Sequence, residues 1–134
     1  MIDHMPALIR LRNGEKVQNS FSHAEYARRV ARLRAHMAAQ QVDAVLFTSY
    51  HSIFLFCSFG RFYGLAVTHD KTTVIAANID GAQPWRKAVA DDALTYTDWQ
   101  RGNYFKAVAE CIPNRGRVGI EFDHLPIDRL DALK

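Results

Sequence analysis

An α/β domain, a mixed sheet with helices on its faces, is the fold this sequence predicts, and three observations predict it. Short runs rich in β-branched and aromatic residues alternate with segments of helical period, the order that places helices on a sheet. Two of these runs, Tyr63–Thr68 and Thr72–Asn78, are separated only by His69-Asp70-Lys71 and read as a hairpin, so part of the sheet is antiparallel. The 134 residues, 49% hydrophobic and 23% charged, make one domain large enough for a core without disulfide or metal. No internal repeat and no low-complexity linker divides it.

In chain order, Ile9 and Leu11 alternate with Arg10 and Arg12 ahead of Asn13-Gly14, which reads as a short edge strand and a turn. Ser22 and Glu25 form a capping box for a long helix reaching about Gln41. Its apolar stripe is Tyr26, Val30, Leu33 and Met37; Arg28, Arg29, Arg32 and His36 fall largely off it. Such a basic face either touches phosphate or is simply solvated. A net charge of +3 without a dense basic block argues for solvation and against nucleic-acid binding. Val42–Thr48 is a buried strand, because Ala44-Val45-Leu46-Phe47 is a continuous apolar run.

After the hairpin, Asp80-Gly81 starts a helix with Pro84 in its first turn and Trp85, Ala88 and Val89 facing inward. Leu94–Thr97 is a short strand. Asp98 caps a helix that buries Phe105, Val108, Ala109 and Ile112 and stops at Pro113-Asn114. Arg117–Glu121 is another strand, and Pro126 opens a last helix with Ile127, Leu130 and Leu133. Lys134 interrupts that helix without a glycine cap, as expected of the front portion of a longer chain.

The stretch Tyr50–Gly64 carries the functional reading. It is apolar for most of its length yet ends in Phe59-Gly60-Arg61-Phe62. If extended, it projects Phe59 and Arg61 from one side, with a glycine between them that lets another chain or a ligand approach. A guanidinium beside an aromatic face suits a small, flat carboxylate. The plainer alternative is that Arg61 marks where a buried strand emerges into solvent.

Other chemistry is thin. His4, His23, His36, His51, His69 and His124 show no metal-ligand spacing, and no phosphate loop or GxSxG elbow is present. Asp80, Asp98, Glu121 and Asp123 are the carboxylates available to a two-metal site, but Asp80 and Asp98 sit where helix capping explains them. Asp123-His124 follows a strand without an accompanying nucleophile. Cys57 and Cys111 read as free thiols in apolar surroundings. With no secretory signal and no apolar run of membrane-spanning length, the cytoplasm is the expected location.

Longer stretches carry a family likeness: Phe47-Thr-Ser-Tyr-His51, Cys57-Ser-Phe-Gly-Arg61, Ala77-Asn-Ile-Asp-Gly-Ala-Gln-Pro-Trp-Arg86, Tyr96-Thr-Asp-Trp-Gln-Arg101 with Asn103-Tyr-Phe105, and Gly119-Ile-Glu121 with Asp123-His-Leu125. Over essentially its whole length, residues 1–134, the chain resembles the N-terminal domain of the creatinases, within the creatinase/prolidase/aminopeptidase P group. The resemblance implies a ribonuclease H-like mixed α/β fold and a cytoplasmic homodimer that hydrolyses creatine to sarcosine and urea without metal or cofactor. The catalytic residues would lie in a C-terminal pita-bread domain absent from this chain. It also implies that Phe59 and Arg61 reach the partner subunit's active site, where the arginine holds the substrate carboxylate. The alternative implied by the wider group is a non-catalytic dimerisation domain of an aminopeptidase P-like or prolidase-like peptidase. Two departures stand out. Phe62 replaces a usual proline, and the passage from His51 to Phe54 is several residues short, which reads as an omitted loop because two strands would otherwise join through almost nothing.

Overall fold

A computed structural model of the chain describes residues 7–10, 14–16, 19–58, 63–97, 102–121, 123–125 and 127–133. The strands are β1 (Leu8–Arg10), β2 (Ala44–Phe47), β3 (Gly64–Thr68), β4 (Thr72–Ala77), β5 (Asp92–Tyr96) and β6 (Val118–Ile120). The helices are α1 (His23–Ala39), α2 (Tyr50–Cys57), α3 (Gln83–Lys87), α4 (Asn103–Cys111) and α5 (Ile127–Leu133). One six-stranded sheet runs in the order β1-β5-β4-β3-β2-β6. The β1–β5, β4–β3 and β3–β2 pairs are antiparallel, while β5–β4 and β2–β6 are parallel. The expected mixed sheet and hairpin are both present.

Why the central strands read as unbroken apolar runs is plain from their two faces. Leu65, Val67, Val74, Ala76 and Ala93 point to one side and pack with Val30 and Met37 of α1 and Ile53 and Cys57 of α2. Leu46, Ala66, Ile75, Ala77, Leu94 and Tyr96 point to the other, against Tyr104, Ala107 and Val108 of α4. A sheet covered on both faces needs apolar residues at every position. Each large aliphatic side chain fully buried here contributes about 1.5–3 kcal/mol relative to exposure.

Helix α1 starts as its capping residues predict: the Ser22 hydroxyl accepts the Glu25 backbone N–H at 3.2 Å. Tyr26, Val30 and Met37 are buried on the expected stripe. The basic residues beside it are partly committed to local partners, since Glu25 pairs with both Arg28 and Arg29. Gly14, which follows the expected turn residue Asn13, has φ +89°, a conformation glycine takes without steric cost.

Four expectations need correction. The run Tyr50–Cys57 is a helix rather than an extended strand, and it buries Ile53 and Cys57, four residues apart. Residues 59–62, with Phe59 and Arg61, lie outside the described residues, as does Asp98. The two-strand join that seemed impossibly short does not arise, because the chain passes from β2 into α2 through Thr48 and Ser49 alone. Asp80 does not start a helix: Asn78–Asp80 form a 3₁₀ turn ended by Gly81 at φ +58°, and α3 begins at Gln83 with Pro84 buried. Helix α4 begins at Asn103, with Gly102 at its N-cap position. It buries Asn103, Tyr104, Ala107 and Val108, leaving Phe105 and Ile112 half-buried and Ala109 exposed.

Candidate functional site

Both shoulders of the Phe59–Phe62 segment are firmly placed. On the upstream side Ser58 adopts a left-handed conformation, φ 76°, and its N–H donates to Phe54 O at 2.9 Å, closing α2. Val89 N donates to Cys57 O at 2.8 Å, and Asn19 Nδ2 reaches both Ser58 Oγ (3.0 Å) and Lys87 O (2.8 Å). Downstream, Tyr63 N donates to Ile75 O at 3.0 Å and Tyr104 Oη donates to Tyr63 O at 3.1 Å.

Tyr63 leads into Gly64, which pairs with Ile75 near the carboxyl end of β4. That is also where β2, β5 and β6 end, and in α/β sheets the carboxyl ends of strands are where ligand sites form. Glu121, Asp123 and His124 follow β6 at this end, and the Asn78–Asp80 turn follows β4.

Shared location does not make these residues one site. Glu121 turns inward and holds the start of α2. Its Oε1 accepts Thr48 N (2.7 Å) and Ser49 N (2.8 Å), and its Oε2 accepts Ser49 Oγ (2.6 Å) and Ser52 Oγ (2.9 Å). Burial alone would raise its pKa, but these donors outweigh it and hold the carboxyl below the ordinary glutamate range. A serine hydroxyl on a carboxylate invites a nucleophile–base reading. The geometry assigns the pair to capping instead: Ser49 is 4% exposed and its Oγ also accepts Ser52 N at 3.2 Å. A carboxylate of lowered pKa is moreover a weak base.

Asp123 and His124 are exposed, with 3.8 Å between imidazole and carboxylate, while the His124 backbone carbonyl accepts Thr48 Oγ1 at 3.0 Å. Among the described residues, no group of three or more histidine, cysteine, aspartate or glutamate side chains is placed to hold a metal ion. No described helix is long and apolar enough to cross a membrane. Neither Cys57 nor Cys111 is in a disulfide, and burial pushes the Cys111 thiol up to about 11, away from reactive thiolate.

Sequence reasoning missed two features of this end of the domain. The Glu121 network joins residues 72 positions apart, and only Ser49-x-x-Ser52 hinted at a helix start. The second is an aromatic face on α2. Tyr50 (58% exposed), Phe54 and Leu55 point outward, with the Tyr50 and Phe54 rings parallel at 6.5 Å. Exposed Tyr63 and Ile79 add to the apolar surface of the chain.

Comparison with solved structures defines the class of domain. The chain superposes with a TM-score of 0.67 on the creatinase/prolidase N-terminal domain of an X-Pro dipeptidase from Streptococcus pyogenes, 18% identical, covering 84% of this chain and 86% of that one. It matches the prolidase from Pyrococcus horikoshii with a TM-score of 0.63 and 16% identity, covering 80% of this chain and 29% of that one. At such identities the likeness concerns the fold. The family profile described as Creatinase/Prolidase N-terminal domain matches residues 29–134, and the chain belongs to that family. It is 46% identical over 124 residues to the creatinase of Bacillus sp. (strain B-0618), a match covering 86% of this chain. It spans about 30% of that relative's length.

Proposed function

We propose that this chain is the N-terminal domain of a cytoplasmic, homodimeric enzyme that hydrolyses creatine to sarcosine and urea. In this reading Phe59 and Arg61 are offered to the partner subunit's active site, where the guanidinium receives the creatine carboxylate. The observation that carries the reading is the 46% identity to a creatinase over 124 residues. Two further observations support it. Ser58 and Tyr63, which flank Phe59 and Arg61 in the sequence, are each hydrogen-bonded to the domain, Ser58 through Phe54 O and Tyr63 through Ile75 O, as a substrate-binding element built on a rigid scaffold requires of its flanks. The exposed aromatic face of α2 suits burial against a further domain or subunit. The groups that break the C–N bond are assigned to a following domain. No metal or cofactor enters the proposal.

The test uses the complete protein. Arg61→Ala removes a charge-assisted contact worth about 1.5–3 kcal/mol, so KM for creatine should rise roughly 10- to 100-fold with an unchanged melting temperature. Arg61→Lys should recover only part of the loss, because an ammonium cannot make the forked contact. A normal KM in a folded Arg61→Ala dimer overturns the assignment. The chain on its own should release no urea from creatine, and release above background would place the reacting groups here instead.

A further inference from the structure

Asn19 stands in the stretch before α1, far in sequence from α2 and α3, yet its side chain joins the ends of both. Its Nδ2 donates to Ser58 Oγ at 3.0 Å, across 39 positions, and to Lys87 O at 2.8 Å, across 68. Lys87 is the last residue of α3. The amide is thus held by one helix end while it holds the other, and both bonds are partly shielded from water.

What the bond to Ser58 fixes follows from the backbone there. Ser58 is one of two non-glycine residues with positive φ among the described residues, at 76°. Glycine is the usual occupant of a left-handed helix end, because a Cβ is crowded in that conformation. A serine accepts the less favourable conformation here, and its hydroxyl is the group that Asn19 holds. Strained backbone of this kind clusters at sites that depend on preorganised geometry. The Ser58 N–H is itself pinned, donating to Phe54 O at 2.9 Å, while Cys57 O accepts Val89 N at 2.8 Å. With the N–H fixed, rotation about the N–Cα bond swings the side chain and the onward carbonyl together. A bond to Oγ therefore resists any change in φ. It also steadies the direction in which the chain leaves α2, and the next residues are Phe59, Gly60 and Arg61.

We propose that Asn19 is a positioning residue for the substrate carboxylate: by bracing Ser58 it sets the exit of the chain toward Phe59 and Arg61. This inference rests on the reading that Arg61 receives the creatine carboxylate.

Steady-state kinetics of the complete protein test it, with melting temperatures measured alongside. Asn19→Ala should raise KM for creatine by about 3- to 10-fold with little change in kcat, since a misplaced guanidinium loses binding rather than chemistry. Ser58→Gly removes the hydroxyl, keeps the left-handed turn and should raise KM to a similar degree. The decisive comparison is with Arg61→Ala. In that background there is no guanidinium to place, so Asn19→Ala should lower kcat/KM no further. A merely structural Asn19 would impair both backgrounds alike, or neither. A normal KM in a folded Asn19→Ala protein, with KM raised by Arg61→Ala, overturns the inference and leaves the assignment of Arg61 standing. An equal loss of kcat/KM with and without Arg61 also overturns it. A normal KM in Arg61→Ala overturns the assignment of Arg61 and this inference with it. Should Asn19→Ala fail to fold, a normal KM in Ser58→Gly overturns the proposal independently.

Discussion

Glu121→Ala is expected to destabilise the chain by about 2–4 kcal/mol at neutral pH. One carboxylate there satisfies two backbone N–H groups and two hydroxyls at the start of α2, among them the buried Ser49. Removing it strands several donors at once, and their costs overlap rather than add. Negative charge at a helix N-terminus is also favourable in itself. Glu121→Gln keeps the shape but loses the charge and one acceptor, so its loss should be about half as large. Because the folded carboxyl is held below its unfolded value of about 4.3, this stabilisation is complete above that pH and is lost as pH falls through the folded value. Urea unfolding of wild type and Glu121→Gln should therefore diverge at neutral pH and converge in acid. Parallel curves across that range would show that the charge contributes nothing.

Asp92→Asn should cost about 2–3 kcal/mol and loosen the sheet edge. Asp92 is 1% exposed, yet its Oδ2 receives Arg10 Nε at 2.7 Å and Lys71 Nζ at 2.9 Å, while its Oδ1 accepts Ala93 N at 3.0 Å. Burial on its own would raise the carboxyl pKa; the Lys71 and Arg10 hydrogen bonds and charges overcome it and bring the value down to about 2. The two cations are close to half exposed, so they rehydrate when the carboxylate is neutralised, which keeps the loss below that of a fully buried pair. With the folded value near 2 and an unfolded value of about 3.9, the contribution is present above pH 4 and disappears towards pH 2. Arg10 lies in β1, a three-residue strand at the sheet edge that pairs with β5. Amide exchange should therefore accelerate at Thr97, whose N–H donates to Ala7 O at 3.0 Å, more than in the β3–β4 hairpin. Unchanged exchange at that edge would separate Asp92 from the anchoring of β1.

Features whose cause is local were readable from the residues themselves. The Ser22 cap, the α1 stripe and the His69–Lys71 hairpin turn each depend on contacts within a few positions, where residue type and period carry the signal. The likeness to creatinases came from residue stretches as well, and with it the role given to Phe59 and Arg61, a pair that their alternation about Gly60 had already singled out. Tyr50–Cys57 could not be read in the same way. Ile53-Phe54-Leu55-Phe56 is apolar without interruption, so no period distinguishes a strand from a helix. The helix is revealed only when Ile53 and Cys57 meet the sheet, while Tyr50 and Phe54 stay outside. Nothing around Glu121 or Asp92 marked either carboxylate as a clamp, because their partners lie tens of residues away and come together only when the sheet forms. Local propensity determined the Ser22 cap, the α1 stripe and the hairpin turn of this protein. Burial, which depends on what each element packs against, decided which polar groups were left with a task.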